Sequence, residues 1–282
     1  MNGFLLYYKE KGITSFQAIK EVAHILNVEK VGHCGTLDPF AEGLLIILLG
    51  KATKVSQFLV SEDKKYLATL KLGLLTDTLD ITGQIIKEEP FLDVTVEKIK
   101  TVFNSFKGEI YQTPPMYSAL KVKGQKLYEL ARKNIEIELE KRKVTIFDLE
   151  LISFKNDLIT FSVHCSKGTY IRSLARDIAE QLKTVGILSE LKRISIGKYE
   201  TENAYTLKDL KDNNYLIRKT IEALDNYQKV VLNKKEEIDI KNGKVFVFDS
   251  SEEKLLLVNE KEELLAIYQK ETDGYHCLRG LF

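Results

Sequence analysis

Cysteine is scarce and scattered in this chain. Its 282 residues hold three, Cys34, Cys165 and Cys277, an odd number at wide spacing with no C-x-x-C pair. That excludes a disulfide framework and fits reduced thiols. His33-Cys34 and His164-Cys165 are adjacent pairs, whereas tetrahedral zinc draws on spaced ligands, so no metal is expected. The H-x-E and P-C-x-x-C pattern of the zinc deaminases is missing as well. Charge of one sign is also lacking: 42 Lys+Arg against 41 Asp+Glu leave a formal net charge of +1. This excludes a uniformly basic nucleic-acid binder and a strongly acidic solvating protein. No apolar run approaches the roughly 20 residues of a membrane-spanning helix, the longest being residues 44–49. The opening MNGFLLYYKEKG has neither a basic n-region nor a small-residue cleavage site, so the expectation is a soluble, cytoplasmic protein with no membrane association. A P-loop over residues 43–51 fails too, because its glycines are too far apart and Ala52 stands where Ser or Thr is needed.

The length suits one domain, or one with a small appended module. Apolar residues at helical spacing predict a helix over residues 15–26, with Ser15 as its N-cap. Glycines, a proline and two acids then break the pattern, predicting a loop over 32–43 ahead of a buried strand at 44–49. Alternation from Tyr66 to Leu72 predicts a half-buried strand with Tyr66 at its start, and residues 96–106 read as a second helix. Residues 107–133 form a loop-rich insertion of net charge +4, with Lys121, Lys123, Lys126, Arg132 and Lys133 interleaved with Tyr111, Tyr117 and Tyr128. Such a stretch is either a solvated loop or an arm that grips RNA. A strand pair at 144–151 and 158–165 precedes a helix from about 171 to 182 that carries Arg172 in its first turn and Arg176 on its flank. Beyond residue 230 come short strands at 244–248, 254–258 and 264–268.

Asp38 stands apart, in a glycine-rich loop, followed by Pro39 and near Glu42. Asp-Pro is a common turn initiator, so a plain turn competes with a chemical role. A carboxylate there can act as nucleophile or general base, and a nearby arginine is expected to keep it ionised by depressing its pKa. Arg172 is the candidate partner.

The string GHCGTLDPFAEGLLIILLGKATK, residues 32–54, closely resembles the signature of the TruB family of pseudouridine synthases, the bacterial tRNA pseudouridine-55 synthases. Four further segments agree in family order: KYLATLKLGLLTDTLD at 65–80, PPMYSALKVKGQKLYELAR at 114–132, HCSKGTYIRSLARDIAE at 164–180 and LKRISIGKY at 191–199. The resemblance implies an α+β pseudouridine synthase fold with a mixed central sheet and a small C-terminal β-rich module like a PUA domain. The catalytic domain would span 1–229, with a basic thumb-like insertion at about 107–143, and the module 230–282. By motif position, Asp38 is the nucleophile, Arg172 its ion-pair partner, and Tyr66 stacks on the target uracil and takes part in proton transfer. His33 lies against the remodelled RNA loop, and Tyr170 and Leu191 line the uridine pocket. The implied activity isomerises uridine-55 in the T-loop of tRNA, without cofactor or metal, in a monomer whose partner is the tRNA T-arm and which needs no obligate protein partner. The insertion at 107–133 then reads as an RNA contact.

Two departures stand out. The family's lysine-proline pair near the N-terminus is Lys9-Glu10 here, which predicts a less rigid turn before Gly12. Residues 230–282 carry 8 basic and 11 acidic groups, leaving residues 1–229 at net +4. The rival functions are a non-catalytic tRNA-binding or folding chaperone on the same fold, and a glycosidase that would pair Asp38 with the distant Asp80.

Overall fold

The computed structural model describes all residues except Lys123, Asn134 and Glu136, and the main chain only at Lys126. The chain begins with strand β1 (Gly3–Lys9) and helix α1 (Ser15–Leu26). The N-cap is Thr14, one residue before the expected Ser15: Thr14 accepts from the Gln17 amide and the Gln17 side chain accepts from the Thr14 amide. This reciprocal box satisfies two end donors at once, so the serine is released for another task. The expected loop at 32–43 is shorter than predicted. Strand β2 (Val31–Cys34) occupies its start and strand β3 (Glu42–Leu49) its end, and the two pair antiparallel with His33 opposite Ile47. The loop proper is residues 35–41.

Helix α2 (Ser56–Val60) leads to strand β4 (Lys64–Leu72), followed by the hairpin β5 (Leu74–Thr76) and β6 (Ile85–Glu88), and by helix α3 (Val96–Phe106). Strand β7 (Gly108–Gln112) pairs into the main sheet, so the first part of the basic insertion is not an arm. The remainder holds the short hairpin β8 (Lys121–Val122) and β9 (Gln125–Lys126) and helix α4 (Leu127–Ala131). Lys121, Arg132 and Lys133 are exposed, whereas the expectation for Lys123 lies outside the described residues. Strands β10 (Arg142–Lys155) and β11 (Leu158–Cys165), helix α5 (Ile171–Gln181) and strand β12 (Gly186–Ile196) follow, with the short strand β13 (Tyr199–Glu200).

Nine strands form one mixed sheet in the order β1-β3-β12-β4-β11-β10-β7, with β2 on β3 and β13 on β12. Its one parallel pairing of two strands among the described residues joins β3 to β12 through Glu42 with Lys192 and Gly43 with Arg193. Gly43 makes this approach possible. Its φ is +105°, and a Cβ there would stand 2.4 Å from the Arg193 carbonyl oxygen. On one half of the sheet α1 packs its Ala18, Ile19 and Val22 against Leu45 and Ile47 of β3. On the other, Leu174, Ala175 and Ile178 of α5 share a core with Ala68, Leu70, Phe161 and Leu188. The active elements therefore converge where the two halves meet.

After helix α6 (Leu207–Lys211) comes a separate four-stranded sheet, ordered β14 (Gln228–Val231), β15 (Lys254–Val258), β16 (Leu264–Glu271) and β17 (Gly274–Gly280), with helix α7 (Lys234–Lys241) beside it. Leu256, Val258 and Ile267 of this sheet pack on Val55, Ile221 and Leu224 of the main body. Residues 244–248 are not the predicted strand: Phe246 makes a single bridge to Tyr275, and its ring stacks on Phe248. The apolar residues there serve ring packing rather than a ladder.

Candidate active site

A pocket of about 600 Å³ opens at the seam between the half-sheets, walled by the 35–38 loop, Tyr66, residues 118–120, the first turn of α5 and Leu191. At its floor Arg172 grips Asp38 with two parallel contacts, Nε to Oδ2 at 2.9 Å and Nη2 to Oδ1 at 3.0 Å. The guanidinium fork matches a carboxylate in this geometry and fixes its plane. Both terminal nitrogens of Arg172 make further contacts. Nη1 donates to the Thr78 carbonyl at 2.8 Å and lies 3.5 Å from Asp80 Oδ2, and Nη2 also donates to the Tyr117 carbonyl at 2.8 Å. The arginine side chain is 5% exposed, while that of Asp38 is 32% exposed and faces the pocket.

Tyr66 is the third residue of β4 and stands opposite Arg193 of β12, and Leu191 stands opposite Ala68. Both Tyr66 and Leu191 are buried pocket-wall residues. Tyr170 is the last residue before α5, and the amide of Gln112 reads its main chain in both directions: Nε2 donates to the Tyr170 carbonyl at 3.0 Å and Oε1 accepts its N–H at 2.8 Å. The structure thus brings together Asp38, Tyr66, Tyr170, Arg172 and Leu191. His33 stays outside the pocket wall on β2, half-buried, with its Nδ1 lacking a hydrogen-bond partner among the described residues. Burial holds the His33 imidazole below its ordinary pKa.

With this geometry, likeness to known proteins becomes decisive. The family model described as TruB family pseudouridylate synthase (N terminal domain) matches residues 23–171, and tRNA pseudouridylate synthase B C-terminal domain matches residues 172–233. The chain belongs to the TruB family of pseudouridine synthases. It is 40% identical over 288 residues to the tRNA pseudouridine synthase B of Clostridium tetani, all of both chains being covered. Against that of Endomicrobium trichonymphae it is 46% identical over 221 residues, 78% of this chain and 96% of the other. Among solved structures it superposes on a chain of a Cbf5-Nop10-Gar1 complex with a TM-score of 0.74 at 24% identity, covering 99% of this chain and 85% of that one. The fold is the α+β architecture that the motifs implied, with a mixed central sheet and a separate C-terminal β sheet.

Two site residues of this TruB-family synthase lie inside matching segments that gave them no place in the site. Asp80, considered only as a distant second carboxylate, is buried on the far side of the Arg172 guanidinium. Its Oδ1 accepts from Thr78 Oγ1 at 2.9 Å, the Thr82 amide at 3.0 Å and Thr82 Oγ1 at 2.5 Å. It does not line the pocket, so no pair of carboxylates flanks a bound sugar as a glycosidase requires. Arg193, 1% exposed, was inside a matching segment but not singled out. It donates from Nε to the Leu44 carbonyl at 2.7 Å and from Nη2 to the Gly35 carbonyl at 3.0 Å, tying both ends of the Asp38 loop to β12. Among the described residues, the pocket is lined by Lys64, Arg142, Lys143, Lys167, Arg172 and Arg193 and by one carboxylate, Asp38. The local excess of cations, invisible in a net charge of +1, suits a polyanionic substrate.

The electrostatics correct one expectation. Depth in the pocket lifts the Asp38 carboxyl above its ordinary pKa; Arg172 pulls it down and neighbouring Asp80 pushes it up, and burial wins. Burial likewise lifts the Tyr66 phenol, against the pull of Arg193, so it stays protonated near neutral pH. For a synthase that needs ionised Asp38, the single-turnover rate is complete above the raised pKa and lost as pH falls through it. Its acid limb is therefore expected above the ~3.9 of a free aspartate. A rate profile, with tRNA binding measured at each pH, checks this; a limb at or below that value would contradict the raised pKa.

Proposed function

We propose that this synthase isomerises uridine-55 in the T-loop of tRNA, with Asp38 as the reacting carboxylate. The observation that carries this is the two-point Asp38–Arg172 ion pair at the floor of a pocket walled by Tyr66 and Leu191. Conversion of uridine to its C-glycoside breaks N1–C1′, turns the base, joins C5 to C1′ and removes the C5 proton. No electron is gained or lost, so the reaction calls for positioned acids and bases. A uridine within a folded loop must first leave its stack. A pocket of about 600 Å³ is of a size to hold a nucleoside.

In this scheme Arg172 holds the Asp38 carboxylate in plane and favours its ionised form against the burial that opposes it, ready to act on the base or the ribose. Tyr66 stacks on the uracil and takes part in the proton transfer that moves one proton off C5 and one onto N1; its neutral phenol can give a proton only as it accepts another. Tyr170 and Leu191 close the pocket, and His33 meets the RNA outside it. The exposed cations of the insertion at about 107–143 grip the T-arm, and the catalytic part (1–229) carries the acidic C-terminal module (230–282), which is like a PUA domain and whose sheet starts two residues earlier, at Gln228 of β14. The protein works as a monomer in the cytoplasm, where tRNA is matured, without an obligate protein partner.

Pseudouridine mapping of tRNA from cells with and without this protein tests substrate and position together. The expected outcome is loss of pseudouridine at position 55 with other sites unchanged. An unaltered map with slower tRNA refolding would replace the enzyme by a non-catalytic chaperone.

A further inference from the structure

Asp38 sits between two residues whose backbones are held very differently. On its C-terminal side the Pro39 ring limits φ, and the Pro39 carbonyl accepts from the Gly12 amide at 2.8 Å. On its N-terminal side Leu37 has no such restraint of its own. There Ser15, the first residue of α1 and 2% exposed, uses its hydroxyl in both directions. Its Oγ accepts the Leu37 N–H at 2.8 Å and donates to the Leu37 carbonyl at 3.0 Å. Among the described residues these are the hydrogen bonds of the Leu37 main chain. The helix end does not need this hydroxyl, because Thr14 and Gln17 cap it.

We propose that Ser15 is a positioning residue for the reaction: it sets the peptide planes on either side of Leu37, and through them the direction from which the Asp38 carboxylate enters the pocket. This rests on Asp38 being the reacting carboxylate. Serine suits the task because one small hydroxyl can be donor and acceptor at once, standing in for the missing partner strand. The Leu37 side chain is itself buried in the core, so loss of the hydroxyl leaves the loop attached. What loosens is orientation, and misplacement of a reacting group by about 1 Å can cost about a hundredfold in rate.

The test compares variants of the full chain by single-turnover tritium release from [5-³H]uridine-labelled tRNA, by tRNA binding and by thermal unfolding. Ser15→Ala is expected to lower the rate by about 10- to 100-fold, with affinity for tRNA within about twofold of the parent. Gln17→Ala removes the capping box one turn away without touching Leu37; it is expected to lower thermal stability while keeping the rate. Equal rate losses in these two variants would overturn the proposal, since the effect would then be that of a weakened helix. Full activity in Ser15→Ala would overturn it as well. Ser15→Thr and Ser15→Val share one shape and differ in the hydroxyl, so a faster threonine variant supports the proposal and equal rates overturn it. Asp38→Asn in the same series separates the two layers. If that variant keeps its rate, the role of Asp38 fails; if it is dead while Ser15→Ala is unimpaired, the positioning role alone fails.

Discussion

Asp38→Asn is expected to stop tritium release from [5-³H]uridine-labelled tRNA, with a rate loss on the order of 10⁴-fold or more, while tRNA binding stays within a few-fold. The substitution keeps the side chain's shape and removes its charge. Asparagine offers one acceptor oxygen to a guanidinium that now places two donors on Asp38, and its amide would oppose the second of them. The loop should stay in place, because its anchors run through the Leu37 and Pro39 main chains and through Arg193 to the Gly35 carbonyl. Removing a negative charge from a site that already has buried cations does not weaken its attraction for a phosphate backbone. Binding with no turnover is therefore the outcome that assigns chemistry to Asp38. Activity near that of the parent would remove Asp38 from the reaction.

Arg172→Lys is expected to be nearly as damaging, and in a second way. Arginine here bridges Asp38, Asp80 and the Thr78 and Tyr117 carbonyls from a fully enclosed position. A lysine ammonium is a single point with three donors and cannot span two carboxylates and two carbonyls lying in the plane of a guanidinium. Breaking a buried ion pair typically costs about 3–5 kcal/mol, because the abandoned charge stays in place. Lysine keeps a cation in place, so the variant should fall by less than that amount in urea unfolding while losing on the order of 10³-fold in rate. Its surviving activity should show an acid limb at still higher pH, since Arg172 is the strongest influence drawing the Asp38 pKa down. A variant with parental stability and rate would mean that the four-way bridge is incidental.

Much of this site is legible in the motifs, because a covalent string carries Asp38, another carries Arg172, and their register on a strand-loop-strand and on a helix start is local. The ion pair itself crosses 134 positions of sequence, and helical or strand periodicity says nothing about such a meeting. Asp80 reads as a distant second carboxylate for the same reason: its burial depends on Arg172 and on three hydroxyl or amide donors from residues 78 and 82. Ser15 was misread because serine is a good N-cap, and nothing local reveals that Thr14 has the better reciprocal partner in Gln17. The pKa of Asp38 was judged by its partner alone, whereas its depth in the pocket is a property of the folded chain. In the C-terminal module, residues 244–248 are β-branched and aromatic like a strand but pair only at Phe246, and β17 was hidden by its mixed polarity. The Lys9-Glu10 departure does not leave a slack turn: Lys9 Nζ donates to the Glu10 and Ile13 carbonyls at 2.9 and 2.7 Å.

The narrow parallel contact between β3 and β12 sets when a newly made chain can become an enzyme. The residues that brace the Asp38 loop from beneath, at 192 and 193, are joined to positions 42 and 43. At ribosomal speeds of about 5–20 residues per second, that brace is synthesised some 8–30 s after the loop it supports. During most of this interval the nascent chain holds the Asp38 carboxylate without Arg172, and throughout it without Arg193. On the proposed role of Asp38, a partly made polypeptide displays its aspartate to passing tRNA without modifying it until the β3–β12 seam has closed.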